Sequence, residues 1–228
     1  MDDILIRGGQ VIDGTGAPAR AADVAIRAGR IAAIEANRAE SADRVIDAHG
    51  CVVAPGFIDI HTHSDFTLPL NPKAECKIRQ GVTTEVVGNC GFSVAPALPG
   101  KVDALREYLS GSAPWLTFEA TDFARYMDRW PDMAVNTVMQ VGHNTLRLMA
   151  IGMENRAPRE AELRHMQQML AEGLEAGALG LSSGLFTAPG CFSERDELRA
   201  LGRVLKAHGA RYSSHIRDES HGVHEAVA

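Results

Sequence analysis

Two histidines one residue apart, His61-Thr62-His63, follow the short apolar run Phe57-Ile58-Asp59-Ile60. If that run is a buried strand, side-chain alternation sends both imidazoles to one side, where they can meet a common centre. A lone H-x-H is a weak motif, and two histidines lining a crevice would read the same way. Cys90 adds a different donor. It stands in Gly88-Asn89-Cys90-Gly91, directly after the strand-like stretch Thr83 to Val87. Glycines on either side let the backbone bend and approach a ligand. A thiolate beside imidazoles is a donor set typical of zinc, although a cysteine after a strand is more often a small buried apolar residue. His143, in Gly142-His143-Asn144, ends a further strand-like run, and His215, in Tyr212-Ser213-Ser214-His215, ends another. Candidate ligands or polar groups thus recur at the ends of four such runs. In parallel α/β folds those ends build the site, and the reaction class suggested is metal-assisted hydrolysis.

The other histidines read as structural or solvated: His49 in a turn, His165 on a helix, His208 at a helix C-terminus, and His221 and His224 near residue 228. Cys51, Cys76 and Cys191 have no histidine or charge pattern around them and read as structural.

The elements that must position these groups fall into two regions. Residues 1–56 are short strands and turns: Ile4 to Ile6, Val11-Ile12, a hairpin through Ala28-Gly29-Arg30, then Val45-Ile46 and Val52-Val53. This β module carries no evident chemistry. From residue 57 to 228, strand-like runs alternate with helix-like stretches, which implies a parallel sheet, doubly wound or closed as a barrel. The runs are Phe57 to Ile60, Thr83 to Val87, Val135 to Val141, Ala178 to Leu181 and Arg211 to His215. Leu163, Met166, Leu170 and Leu174 form one helical stripe behind Pro158; Leu198, Leu201 and Leu205 form another, with Ser193 as the expected cap. Residues 101–131 lack a strand period and carry Trp115, Phe118, Phe123, Tyr126 and Trp130, which predicts a helical excursion, either a lid or a packed surface helix. An eight-stranded barrel needs roughly 250 residues, more than this region offers.

Composition narrows the partners. The 228 residues carry a net charge of −6, and the basic side chains are scattered, which argues against nucleic acid or an anionic membrane. No apolar window reaches membrane-spanning length, and the acidic start Met1-Asp2-Asp3 is unlike a secretory signal. The four cysteines form no C-x-x-C pair or disulfide framework, so the expected location is cytoplasmic.

Residues 45–65, V-I-D-A-H-G-C-V-V-A-P-G-F-I-D-I-H-T-H-S-D, resemble the amidohydrolase superfamily. Further blocks are similar to its D-aminoacylase, or N-acyl-D-amino-acid deacylase, branch: Gln80 to Thr84, Gly88 to Gly91, Val141 to Arg147, Leu181 to Leu185 and Ser214 to Glu219. The resemblance implies an N-terminal β-sandwich followed by a TIM-type (β/α)8 barrel, of which this chain would hold about five of eight strands. It implies one or two zinc ions held by His61, His63, Cys90 and His215, with Cys90 in the place of the carboxylated lysine of hydantoinases and dihydroorotases. His143 would lie near the substrate, a small-molecule N-acyl-D-amino acid. The chemistry implied is attack of a zinc-activated water on the amide, with the proton-shuttling aspartate and a further zinc-binding histidine on strands beyond residue 228. Thr187 stands where many relatives have a tyrosine. The alternatives are a cyclic amidase and a non-catalytic zinc-binding fragment, and an incomplete barrel would self-associate or pair with a C-terminal half.

Overall fold

The computed structural model of the chain describes residues 1–39 and 41–227. It divides into two compact units, Met1–Gly56 and Phe57–Ala228.

The first unit is one five-stranded sheet built from β1 (Asp2–Val11), β2 (Arg20–Arg27), β3 (Arg30–Glu35), β4 (Ala42–Asp47) and β5 (Val52–Val53). β2 pairs antiparallel with β1 and β3, while β4 and β5 run parallel to β1. The hairpin turns at Ala28 and Gly29, both at positive φ, as a tight two-residue connection requires. The two short runs expected before residue 13 are one strand. Gly8-Gly9, between them, makes a bulge in β1, and the Gly8 N–H donates to the Asp23 carboxylate at 2.7 Å. Of the expected sandwich, the described residues supply one layer, and Ile31, Val45 and Val52 remain exposed.

The second unit holds β6 (Phe57–Asp59), β7 (Val82–Val87), β8 (Asn136–Gly142), β9 (Gly180–Gly184) and β10 (Arg211–His215), in the unbroken order β10-β9-β8-β7-β6. Every pairing is parallel. A doubly wound sheet reverses its strand order at a switch point; this one does not, so it winds in one direction as a barrel wall does. Its helices are α1 (Glu75–Ile78), α2 (Val102–Leu109), α3 (Phe123–Asp128), α4 (His143–Ala150), α5 (Glu160–Glu175), α6 (Arg195–His208) and α7 (Val223–Val227).

Most of the two expected stripes of α5 and α6 faces the core, while Leu163 and Leu198 are only partly buried and lie outside it. Met166, Leu170, Leu201 and Leu205 are buried with Val141 and Leu181 of the sheet and Leu146 and Leu148 of α4. Helix α6 starts one residue later than a Ser193 cap requires: Glu194 is its N-cap, and the Ser193 hydroxyl instead donates to the Gly190 carbonyl. Residues 101–131 contain two short helices, α2 and α3, with irregular chain between them. Leu105, Leu109, Ala113, Phe118 and Phe123 pack into the main core, so most of the excursion is anchored. Among the described residues, no helix is long and apolar enough to cross a membrane.

Candidate metal centre

The C-terminal ends of β6 and β7 deliver the first three candidate residues to one place. His61, His63 and Cys90 each offer a ligand atom, and these atoms lie within 4.8 Å of one another. No other such cluster of histidine, cysteine or acidic side chains occurs among the described residues. The His61 Nε2 atom is 3.1 Å from the Cys90 sulfur. The Asp59 carboxylate accepts the His61 backbone N–H at 3.2 Å and is itself held at 2.6 Å by Lys77. That hydrogen bond from Lys77 keeps the Asp59 carboxyl below the usual carboxylate range.

Cys90 owes its position to a crowded turn. Its own φ is +55°, between Gly88 at +76° and Gly91 at +78°. A side-chain-bearing residue in the left-handed region is uncommon and persists only where its surroundings over-determine it. They do so here. A Cβ on Gly88 would collide with the Gln140 carbonyl, one on Gly91 with the Asn144 side chain, and one on Gly184 with the Cys90 carbonyl. The turn is also tied down by side chains. Asn89 donates to the carbonyls of Thr62 at 3.1 Å and Val86 at 2.8 Å, and accepts from Gln140 at 2.9 Å. Ser182 accepts the Gly91 N–H at 3.0 Å and donates to the Gly88 carbonyl.

Around the cluster the environment favours neutral donors. Burial lowers the His63 pKa, and the neighbouring His61 and His215 add to the effect. Burial pushes the Cys90 thiol up, with the Glu219 carboxylate adding to it. A neutral imidazole has the lone pair a metal needs, whereas the thiol must give up its proton on binding. The Nδ1 atom of His63 is buried and has no hydrogen-bond partner. Its ring stacks on Phe66 with centroids 5.9 Å apart and meets Phe92 edge-on at 5.8 Å.

His215 ends β10 on the same side of the sheet but stands outside the close cluster. Its Nε2 lies 3.4 Å from a Glu219 carboxylate oxygen, and its ring stacks on Phe186 at 5.6 Å. His143, the residue expected near the substrate, lies in the core of this chain. It begins α4 wholly buried, with Nε2 at 2.7 Å from the Glu197 carboxylate of α6, which also pairs with Arg147. Helix α4 starts immediately after β8, so its first residue turns into the layer between sheet and helices. Asn144, next in the chain, carries no sequence signal of its own. This wholly buried side chain bonds the Gly184 carbonyl at 3.2 Å, the Gly184 N–H at 3.3 Å and the Tyr108 hydroxyl at 3.1 Å. Its adjacency to His143 in a polar block was the available signal.

Residues 44–224 match the family model described as "Amidohydrolase family". The chain belongs to the amidohydrolase family. Among curated relatives, it is 47% identical over 226 residues to an N-acyl-D-glutamate deacylase of Alcaligenes xylosoxydans xylosoxydans, covering 99% of this chain and 46% of that protein. A D-aminoacylase of the same organism is 40% identical over 231 residues, covering 99% of this chain and 46% of the relative. The chain therefore spans about half the length of the curated relatives it matches. Among solved structures, N-acyl-D-glutamate deacylase from Bordetella bronchiseptica, complexed with zinc and a phosphonate inhibitor, superposes with a TM-score of 0.89 at 44% identity, covering 99% of this chain and 47% of that one. An L-hydantoinase from Arthrobacter aurescens shares the fold at 20% identity and a TM-score of 0.56, over 95% of this chain and 41% of that one.

Proposed function

We propose that this amidohydrolase chain is the N-terminal part of a zinc-dependent hydrolase that cleaves the amide bond of N-acyl-D-amino acids. The observation that carries the reading is the convergence of His61, His63 and Cys90 on one point. It gains its substrate class from similarity to deacylases of N-acyl-D-amino acids over nearly the whole of this chain. The five parallel strands are read as part of an eight-stranded barrel whose remaining strands lie outside these 228 residues, in keeping with the half-length coverage of the relatives.

The donor set fits zinc. One sulfur and two ring nitrogens make a mixed site of the kind zinc accepts, and the buried Nδ1 of His63 has no hydrogen-bond partner within the chain. His61, His63 and Cys90 would hold the ion, with His215 contributing from the fifth strand of the sheet. Zinc, when bound, supplies a Lewis acid that polarises the amide carbonyl and makes water a competent nucleophile near neutral pH. The chain's own residues provide orientation. Asp59 fixes the His61 backbone, the glycine-flanked turn fixes Cys90, and Phe66 and Phe92 shield one side of the site from water. The general acid for the leaving amine is expected to be an aspartate outside these residues, so the chain alone is read as inactive. A cyclic amidase would need a bridging lysine on the fourth barrel strand; β9, Gly180 to Gly184, has none.

Zinc content and turnover test the reading together. The chain is expected to retain zinc through mild dialysis against a chelator, and Cys90→Ala to lose most of it. Combined with the C-terminal half of a close relative, it is expected to hydrolyse N-acetyl-D-glutamate faster than the L form and faster than hydantoins. Equal zinc in the parent and Cys90→Ala would remove the cluster from the account. A preference for hydantoins would replace the deacylase reading, and zinc retention without turnover in the complemented pair would leave only a zinc-binding fragment.

A further inference from the structure

Beside the metal cluster lies a cavity of about 280 Å³ lined by His63, Phe66, Thr67, Phe92, Ser112 and Trp115. We propose that this cavity receives the acyl chain of the substrate and sets acyl-length preference; the proposal rests on the deacylase reading above.

Three aromatic rings and two hydroxyls make the wall, and His63 is the one ionisable residue in it. A carboxylate, whether the α-carboxyl of an amino acid or an acidic side chain, needs a cation or several donors, and this lining offers no lysine or arginine. An uncharged chain gains from apolar walls, and the volume is at the small end for ligand pockets. Position selects which uncharged part. His63 belongs both to the ligand cluster and to the cavity wall, so a group seated here is one ring's width from the point where the scissile carbonyl must lie. Of the substituents on that carbonyl, the acyl chain is attached to the carbonyl carbon itself. The amino-acid side is separated from it by the amide nitrogen and bears the charge that this cavity cannot accommodate.

The wall is rigid where it must be. Phe92 follows Gly91 in the Cys90 turn and stacks on Tyr108 with centroids 5.4 Å apart, so the turn that places Cys90 also places a cavity wall. Trp115 comes from the irregular stretch between α2 and α3, and its indole N–H donates to the Phe66 carbonyl at 2.7 Å. That bond ties a half-exposed ring to the backbone of another lining residue. The excursion thus supplies two of the lining residues, Trp115 and Ser112, the latter exposed in a turn.

The zinc-loaded 228-residue chain serves for the test, with tryptophan fluorescence as the readout and Trp115→Phe identifying the signal from Trp115. N-acetyl-, N-butanoyl- and N-hexanoyl-D-glutamate are titrated, alongside a second series in which the acyl group stays acetyl and the side chain grows from D-alanine to D-norleucine. The dissociation constant is expected to fall about fourfold per added acyl methylene. Ser112→Phe, which adds bulk to the lining from an exposed turn, is expected to abolish that dependence while leaving zinc content unchanged. A flat acyl series, a dependence that follows the side-chain series instead, or a Ser112→Phe variant that keeps the full acyl dependence would each overturn the proposal. The two readings fail separately. Acyl-length dependence without hydrolysis by the complemented enzyme sinks the deacylase reading and keeps the cavity assignment, and hydrolysis with a flat acyl series does the reverse.

Discussion

Cys90 and Glu197 show how individual side chains in this chain are held by their surroundings. Cys90 adopts a left-handed backbone because the ends of β8 and β9 leave the turn no other path. Glu197 is buried between α4 and α6, and burial alone would raise its pKa. The hydrogen bond from His143 and the charges of His143 and Arg147 outweigh that effect and leave it below the usual glutamate value. A carboxyl with a lowered folded pKa contributes stability that is fully present above its unfolded pKa of about 4.5 and is lost as pH falls through the folded value. Glu197→Gln leaves the buried Arg147 without its counter-charge and is expected to cost roughly 3–5 kcal/mol at pH 7. The deficit is expected to shrink as pH falls below 4.5, because the parent loses the same interaction there; urea unfolding at pH 7 and pH 4 checks this. A deficit equal at both pH values would mean that the carboxylate charge plays no part. From the sequence, His143 read as a site residue because it follows a strand. In the structure it is buried and paired with Glu197, at the start of a helix that follows β8 without an intervening loop.

At the scale of elements, the amphipathic helices and the buried parallel strands were legible in the sequence, since a 3.6-residue period and a continuous apolar run are local properties. The glycines divide by what surrounds them. Gly91 has no room for a methyl group and sits at positive φ, so Gly91→Ala is expected to displace the Cys90 turn, with loss of zinc binding and of several degrees in Tm. Gly202, inside α6, has open space where its Cβ would be. There Gly202→Ala is expected to stabilise by about 0.5–1 kcal/mol, from helix propensity and reduced freedom of the unfolded chain. Thermal unfolding of the two variants side by side separates the cases. Destabilisation by both would show that α6 is packed more closely than its open flank implies. The bulge at Gly8-Gly9 was not legible, because two glycines between apolar runs serve a turn and a bulge equally, and only the distant Asp23 decides between them.

At the scale of the whole chain, the two outer strands of the parallel sheet are its least satisfied parts. On β6, Phe57 and Ile58 are 64% and 62% exposed, and on β10 Tyr212 is 48% exposed, whereas every residue of β9 is buried. Open strand edges with apolar side chains invite pairing with another chain. The chain is therefore expected to self-associate with rising concentration, and the double variant Ile58→Lys, Tyr212→Lys to sediment closer to a monomer at the same concentration. The same variant is expected to be complemented less well by the C-terminal half of a relative, since both partners would use those edges. Unchanged sedimentation would place the association elsewhere on the molecule.

By itself, the sequence determined the alternation of strands and helices in residues 57–228, the family, and the residue types that gather at one end of the sheet. These rest on local periodicity and on short motifs whose meaning travels with the chain. Tertiary structure alone decided which of the strand-end residues meet. His61, His63 and Cys90 converge because β6 and β7 are neighbours in parallel register, whereas His215 stands three strands beyond β7 and His143 is turned into the core. It also decided that an irregular stretch far from the histidines in sequence lines the cavity beside His63. Trp115 reaches Phe66 across 49 positions of sequence, and contacts of that span depend on how the intervening chain is packed, which no local pattern encodes.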